Sequence, residues 1–178
     1  MVMGMFGQTD RKMIEADDFL FAIEQDGSGE EYAVVRSYRG DAPKISIPDQ
    51  VQGIPVREIG NGAFVVWETE HRYRGNTTLR RVEIPDSVRK LSPSCFRDCR
   101  KLMSVKLPDV LDELGSYAFL GCAELQDVSI PRSITRLGSS IFSGCGKLTP
   151  QIAMHTAFKP TVWSDEALEQ EELRDRKS

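Results

Sequence analysis

Four cysteines, Cys95, Cys99, Cys122 and Cys145, and two histidines, His71 and His155, are the side chains of this 178-residue chain best suited to chemistry. A thiolate can attack a carbonyl, close a disulfide or hold zinc, and each task needs partners at set places. Cys95 and Cys99 form a lone Cys-x-x-x-Cys pair with no second pair or histidine at structural-zinc spacing. Neither histidine stands beside a serine, cysteine or carboxylate in a triad or metal pattern. The expectation is therefore no catalytic residue, no metal and no cofactor. The rival is an enzyme whose site is assembled around His71 or His155 by folding.

What the cysteines do have is copies of their surroundings. RVEIPDSVRKLSPSCFRDCRKLM (81–103), SVKLPDVLDELGSYAFLGCAELQ (104–126) and DVSIPRSITRLGSSIFSGCGKLT (127–149) align without gaps. Pro85, Pro108 and Pro131 are 23 residues apart, and so are Phe96, Phe119 and Phe142, Cys99, Cys122 and Cys145, and Leu102, Leu125 and Leu148. A looser copy lies upstream, with Ile45, Ile47, Pro48, Ile59, Ala63 and Phe64 in the corresponding places. It carries extra residues around Gly53 to Arg57 and a long insertion, VVWETEHRYRGNTT, over 65–78.

Each copy opens on Leu-x-x-Val-x-Ile-Pro, as in Leu79, Val82, Ile84 and Pro85. The period of two predicts a short strand, and proline, which has no amide hydrogen, ends it. A second apolar pair follows, Val88 with Leu91, Leu111 with Leu114, and Ile134 with Leu137, predicting another short strand. Gly115 and Gly138 mark a turn. Beyond it Ala118, Phe119, Cys122 and Leu125, spaced by three and four, predict a short helical turn. One unit has an apolar edge on each side and cannot bury both alone, so units must stack. Stacking places Cys99, Cys122 and Cys145 in a ladder at about 4.8 Å. Free cysteine behaves there as a small hydrophobe, and the thiols are reduced if the compartment is cytosolic.

The run IPxSVxxLxxxxFxxCxxLxxVxIP, covering about residues 44–149, resembles the BspA-type leucine-rich repeats. The segment FLFAIEQDGSGEEYAVVRSY resembles the hairpin that often precedes such arrays. The resemblance implies surface adhesion and partner binding without chemistry. This chain departs from it in having few repeats, and its opening residues do not read as an export signal. The expected fold is an α/β repeat, a right-handed leucine-rich repeat solenoid of about four 23-residue units with short strands and short helical turns. A β-hairpin cap over 1–43 precedes the solenoid of 44–149 with its insertion at 65–78, and a C-terminal cap with a charged helix or tail fills 150–178.

A net charge of −4 does not suggest a nucleic-acid partner, and no apolar run reaches the length of a membrane helix. The start MVMGMFGQTDRKM lacks the charged n-region and apolar stretch of a secretory signal, so the chain as given reads as cytoplasmic, with cell surface or secretion as the alternative.

A macromolecular partner needs a face, and two are in view. Solenoid insertions emerge as loops on one side, often the binding side, and this one holds Trp67, His71, Arg72, Tyr73 and Arg74, with tryptophan, tyrosine and arginine the types enriched at interface hot spots. The competing reading packs Val65, Val66 and Trp67 as a small satellite core below a solvated tip. The strands add a polar, mixed-charge surface of columns Lys44, Arg81, Ser104, Asp127 and Ser46, Glu83, Lys106, Ser129. Arg81, Glu83 and Lys106 are its candidate contacts. At the C-terminus Ser164 is expected to cap a helix beginning DEALEQEELRDRK, either as a lid on the stack or as an interaction tail. The function expected is that of a non-catalytic protein-binding module. An adhesin-like protein for host protein or glycan, and a self-associating scaffold, are the alternatives.

Overall fold

The computed structural model describes residues 11–148. Its N-terminal cap is an antiparallel run of β1 (Met13–Ala16), β2 (Phe19–Gln25) and β3 (Glu31–Tyr38). The hairpin expected over Phe19 to Val35 is β2 with β3, and β1 adds a strand to it. Asp17 and Asp18 make the first turn with φ of 48° and 66°, the pair of positive values that a tight two-residue hairpin turn requires. In the second turn the Asp26 carboxylate accepts from the Ser28 amide at 2.9 Å and from the Glu30 amide at 3.1 Å. The Ser28 hydroxyl and amide, then the Arg57 guanidinium, hold this carboxyl down to about 2.

The solenoid follows as β4 (Lys44–Ser46), β5 (Gln50–Val51), β6 (Ile54–Ile59), an inserted hairpin of β7 (Val65–Thr69) and β8 (Arg72–Gly75), then β9 (Arg81–Glu83), β10 (Lys90–Leu91), β11 (Ser104–Lys106), β12 (Glu113–Leu114), β13 (Asp127–Val128) and β14 (Arg136–Leu137). Two parallel ladders result. One runs β4-β9-β11-β13, and the other runs β3-β6-β10-β12-β14, so the cap strand β3 supplies the first rung of a stack about five rungs tall. The expected strand-face columns are pairings found, Lys44 with Arg81 and Ser104 with Arg81 and Asp127, and on the other ladder Lys90 pairs with Glu113, which pairs in turn with Arg136. The extra residues near Gly53 form the small β5–β6 hairpin, turning through Gln52 and Gly53 at φ of 51° and 80°.

No helix occurs among the described residues, which corrects the expected short helical turns. The spacing of three in Phe96, Cys99 and Leu102 is made by consecutive tight turns, with Cys99 N–H donating to Phe96 O and Leu102 N–H to Cys99 O. A helix would aim its other amides along its own axis, whereas here they reach the next coil: Phe96 N–H to Ala118 O, Asp98 N–H to Leu120 O, and Phe119 N–H to Ile141 O. Positive φ at Ser94, Tyr117 and Ser140, and again at Asp98, Gly121 and Gly144, breaks each turn at the same two slots.

The core is a column of rings. Phe64, Phe96, Phe119 and Phe142 stack with centroids 4.4, 5.4 and 5.6 Å apart, and Tyr38 of the cap extends the column at 5.5 Å from Phe64. These separations lie at or near the favourable range for offset aromatic pairs. The cysteines lie beside them, buried and unbridged. Their thiols donate to the carbonyl of the preceding coil's phenylalanine: Cys99 to Phe64 O at 3.8 Å, Cys122 to Phe96 O and Cys145 to Phe119 O at 3.1 Å. Cysteine thus fills the slot and satisfies a buried carbonyl, which a purely apolar residue of that size would not do. Burial pushes the thiols of Cys99 and Cys145 up to about 12, and those of Cys95 and Cys122 also upward.

Gly115 and Gly138 do not serve as positive-φ turns. They sit where coils meet most closely. A Cβ at Gly138 would lie 2.1 Å from Ser116 N, and one at Gly115 would lie 2.6 Å from Pro93 N. Pro85, Pro108 and Pro131 each stand just beyond a strand end, as expected.

Candidate functional site

The insertion becomes a ledge on the solenoid because its two strands pair with each other and with nothing else: Val65 opposes Gly75, Val66 opposes Arg74 and Trp67 opposes Tyr73. Asn76 returns the chain to the stack. Its N–H donates to Phe64 O at 2.9 Å, and its side-chain oxygen accepts from Thr78 N–H at 3.0 Å and Leu79 N–H at 2.8 Å. Its amide nitrogen donates to Gly40 O at 3.3 Å, tying the ledge to the loop after the cap. The foot of β8 presses on the turn beyond Phe96, where a Cβ at Gly75 would lie 2.1 Å from the Asp98 carbonyl.

The outer part of the ledge is aromatic and cationic. Trp67 is 63% exposed, with its ring centroid 5.3 Å from that of Tyr73 at an interplanar angle of 52°. The Arg97 guanidinium also lies against the Tyr73 ring, 4.9 Å from its centroid. Cation–π contact fixes the tyrosine from beneath. Arg97 Nε is 3.8 Å from Asp98 Oδ2. One carboxylate, Glu68, serves two guanidiniums, Arg72 at 3.0 Å and Arg74 at 3.1 Å. Between β8 and the Asp98–Lys101 turn lies an open groove of about 320 Å³, bordered by Tyr73, Arg74, Gly75, Asn76, Thr77, Asp98, Arg100 and Lys101.

Of the residues singled out from the sequence, Trp67, Tyr73, Arg72 and Arg74 come together on this ledge. His71 is at its tip, exposed, with its N–H on Thr69 Oγ1 at 3.3 Å. Val65 and Val66 are half-buried, so the lower part of the hairpin packs while Trp67 does not. Arg81, Glu83 and Lys106 stand elsewhere, exposed on β9 and β11, where Glu83 bonds Ser46 at 3.2 Å and Lys44 at 3.7 Å. His155 and the expected C-terminal cap and helix of 150–178 lie outside the described residues.

Sequence reasoning missed Asn76 and Arg97. Asn76 carries a visible signal, an asparagine before two threonines at the point where the insertion rejoins the repeat, the Asx-turn pattern. Arg97 is visible only as a departure, since its slot holds Leu120 and Ser143 in the next two coils. Among the described residues no cluster of histidine, cysteine or carboxylate could hold a metal, and no helix is long and apolar enough to cross a membrane.

The family model described as "BspA type Leucine rich repeat region (6 copies)" matches residues 69–169, more than half of the chain. The chain belongs to this family. BspA-type proteins are typically non-catalytic binding modules and are often found at the cell surface or secreted. A leucine-rich repeat protein from Bacteroides capillosus is similar at 26% identity with a TM-score of 0.62, over 76% of this chain and 94% of that one. A leucine rich cell surface protein from Faecalibacterium prausnitzii is 27% identical with a TM-score of 0.63, over 77% of this chain but only 35% of its own length. The T. pallidum leucine rich repeat protein is also 27% identical, with a TM-score of 0.57, over 78% of this chain and 70% of that one. No curated protein matches the chain.

Proposed function

We propose that this BspA-type chain is a non-catalytic module that docks a protein partner on the ledge of 65–75. The observation that carries the reading is Trp67. A large aromatic side chain left mostly in water on a hairpin whose neighbouring tyrosine is held by Arg97 is an anchor already ordered for contact. Such anchors supply most interface energy, and order in the free state reduces the entropy lost on binding. The strand faces serve less well, because they are polar and part of their charge already pairs along the columns, as Glu83 does with Lys44 and Glu113 with Arg136 at 3.6 Å.

Recovery of partners from native lysate by the immobilised full chain tests this, comparing wild type with Trp67→Ala/Tyr73→Ala. Loss of a specific partner is expected in the double variant. Equal recovery by both sinks the ledge as the docking face.

A second reading keeps the fold and places the ledge at a cell surface, adhering to host protein or glycan. The similarity to the Faecalibacterium cell surface protein favours it. Localising the natural full-length product by cell fractionation separates this from the cytoplasmic setting expected on sequence.

A further inference from the structure

The groove beside the ledge gives the partner a chemistry. Building on the ledge reading, we infer that the groove between β8 and the Asp98–Lys101 turn takes a short acidic segment of the partner protein, its carboxylates on Arg74, Arg100 and Lys101 and its apolar residues on Trp67.

Charge complementarity argues this. The chain as a whole carries −4, yet three cations and one carboxylate border this groove. The cations differ in what already occupies them. Arg74 shares Glu68 with Arg72. Among the described residues Arg100 and Lys101 form no ion pair, and both are exposed. The acid that should neutralise Lys101 is Glu124, one repeat above it, but Glu124 is paired with Lys147 of the next coil instead. Asp98, the carboxylate in the groove, lies beside Arg97. The stack therefore leaves a compact positive hollow bordered by Tyr73, with the exposed indole of Trp67 against that ring.

The compactness of the hollow selects the occupant. A nucleic acid or a long sulfated glycan needs a continuous cationic track, and the coil above this groove interrupts it with Glu124, one repeat above Lys101 and paired with Lys147. Two or three carboxylates flanking an apolar residue suit a groove of about 320 Å³ bordered by Tyr73, whose ring lies 5.3 Å from that of Trp67.

Fluorescence anisotropy with the full chain and a fluorescein-labelled peptide, three repeats of Glu-Glu-Phe, tests the assignment against the same peptide with Gln for Glu, a labelled oligo-dT dodecamer and a labelled sulfated hexasaccharide. Saturable binding of the acidic peptide is expected, at least tenfold tighter than that of the Gln peptide. Arg100→Glu/Lys101→Glu should weaken it at least tenfold, and Arg136→Glu, on the other ladder, should change it less than twofold. Unchanged thermal melting of the variants confirms that folding is intact. Equal binding of the Glu and Gln peptides, indifference to Arg100→Glu/Lys101→Glu, or tighter binding of the oligo-dT or the hexasaccharide overturns the assignment. If Trp67→Ala/Tyr73→Ala loses the native partner while Arg100→Glu/Lys101→Glu keeps it, the groove assignment falls and the ledge reading stands.

Discussion

The coils from Arg81 to Leu148 and the hairpin from Val65 to Gly75 belong to one stack, but they are held by opposite means. In the coils each apolar residue has its equivalent directly above or below it, and Phe96, Phe119, Cys99, Cys122, Leu102 and Leu125 are fully buried. In the hairpin the strands have only each other, Trp67 is in water, and its place is set by Asn76 at the foot and Arg97 under Tyr73. Repetition produces an interior in which every substitution is felt by two neighbours. The insertion produces a surface on which residues can change without the interior noticing.

The sharpest way to strain the coils without touching the hairpin is alkali. All four thiols are buried with their ionisation pushed upward from 9.0, Cys99 and Cys145 to about 12. In the unfolded chain the thiols lose their protons above about pH 9, whereas in the folded chain they keep them. The folded state then binds more protons than the unfolded one, so stability is intact below pH 9 and falls as pH rises toward 12. Each fully titrating thiol contributes a slope of about 1 kcal/mol per pH unit, and the four act in the same direction. Urea unfolding at steps from pH 8 to 11 measures the slope, and Cys122→Ala should make it shallower by one thiol's share. A flat profile would mean that the thiols are open to solvent.

Next in size is the ring column. Phe119→Ala removes a fully buried ring stacked on both sides and should cost about 3–5 kcal/mol, read as a lowered urea midpoint. Because adjacent coils share the column, its effect should combine non-additively with Phe96→Ala.

The glycines sharpen the comparison within the coils themselves. Gly138→Ala drives a Cβ to 2.1 Å from Ser116 N, a backbone atom that cannot step aside, whereas Gly146→Ala meets nothing within 4 Å. The first should destabilise by roughly 1–3 kcal/mol, and the second should stay within about 0.5 kcal/mol. Thermal unfolding of the two variants side by side decides whether coil spacing or turn conformation is what glycine serves here.

The difference between those roles also marks how far the sequence could be read. A period of 23 shared by proline, phenylalanine, cysteine and leucine dictated the stack, its register and the buried thiols, since any position with copies has its neighbours named by arithmetic. It misled at the Phe-x-x-Cys turn, where spacings of three and four look helical. The amides that would close a helix pair instead with the next coil, a fact about stacking that no single repeat contains. Tyr38 in the ring column was hidden because the cap has no period. The ledge was legible as an insertion rich in binding residue types, but its rigidity was not, because Arg97 comes from a coil more than twenty residues away and meets Tyr73 only after folding.

The smallest effect on stability falls where the effect on binding is greatest. Trp67→Ala removes a side chain that is 63% exposed, so little apolar surface leaves a buried site, and the melting temperature should stay close to wild type, with a change in stability within about 0.5 kcal/mol. Arg97→Ala should cost somewhat more in stability, about 0.5–2 kcal/mol for a half-buried cation–π contact. It should nonetheless free Tyr73 and weaken partner capture. If Arg97→Ala leaves capture intact while Trp67→Ala abolishes it, the indole acts alone and the stacked arginine only supports the fold. If both weaken capture at constant stability, the ledge works as an ordered unit, and the coil beneath it is what gives the hairpin its order.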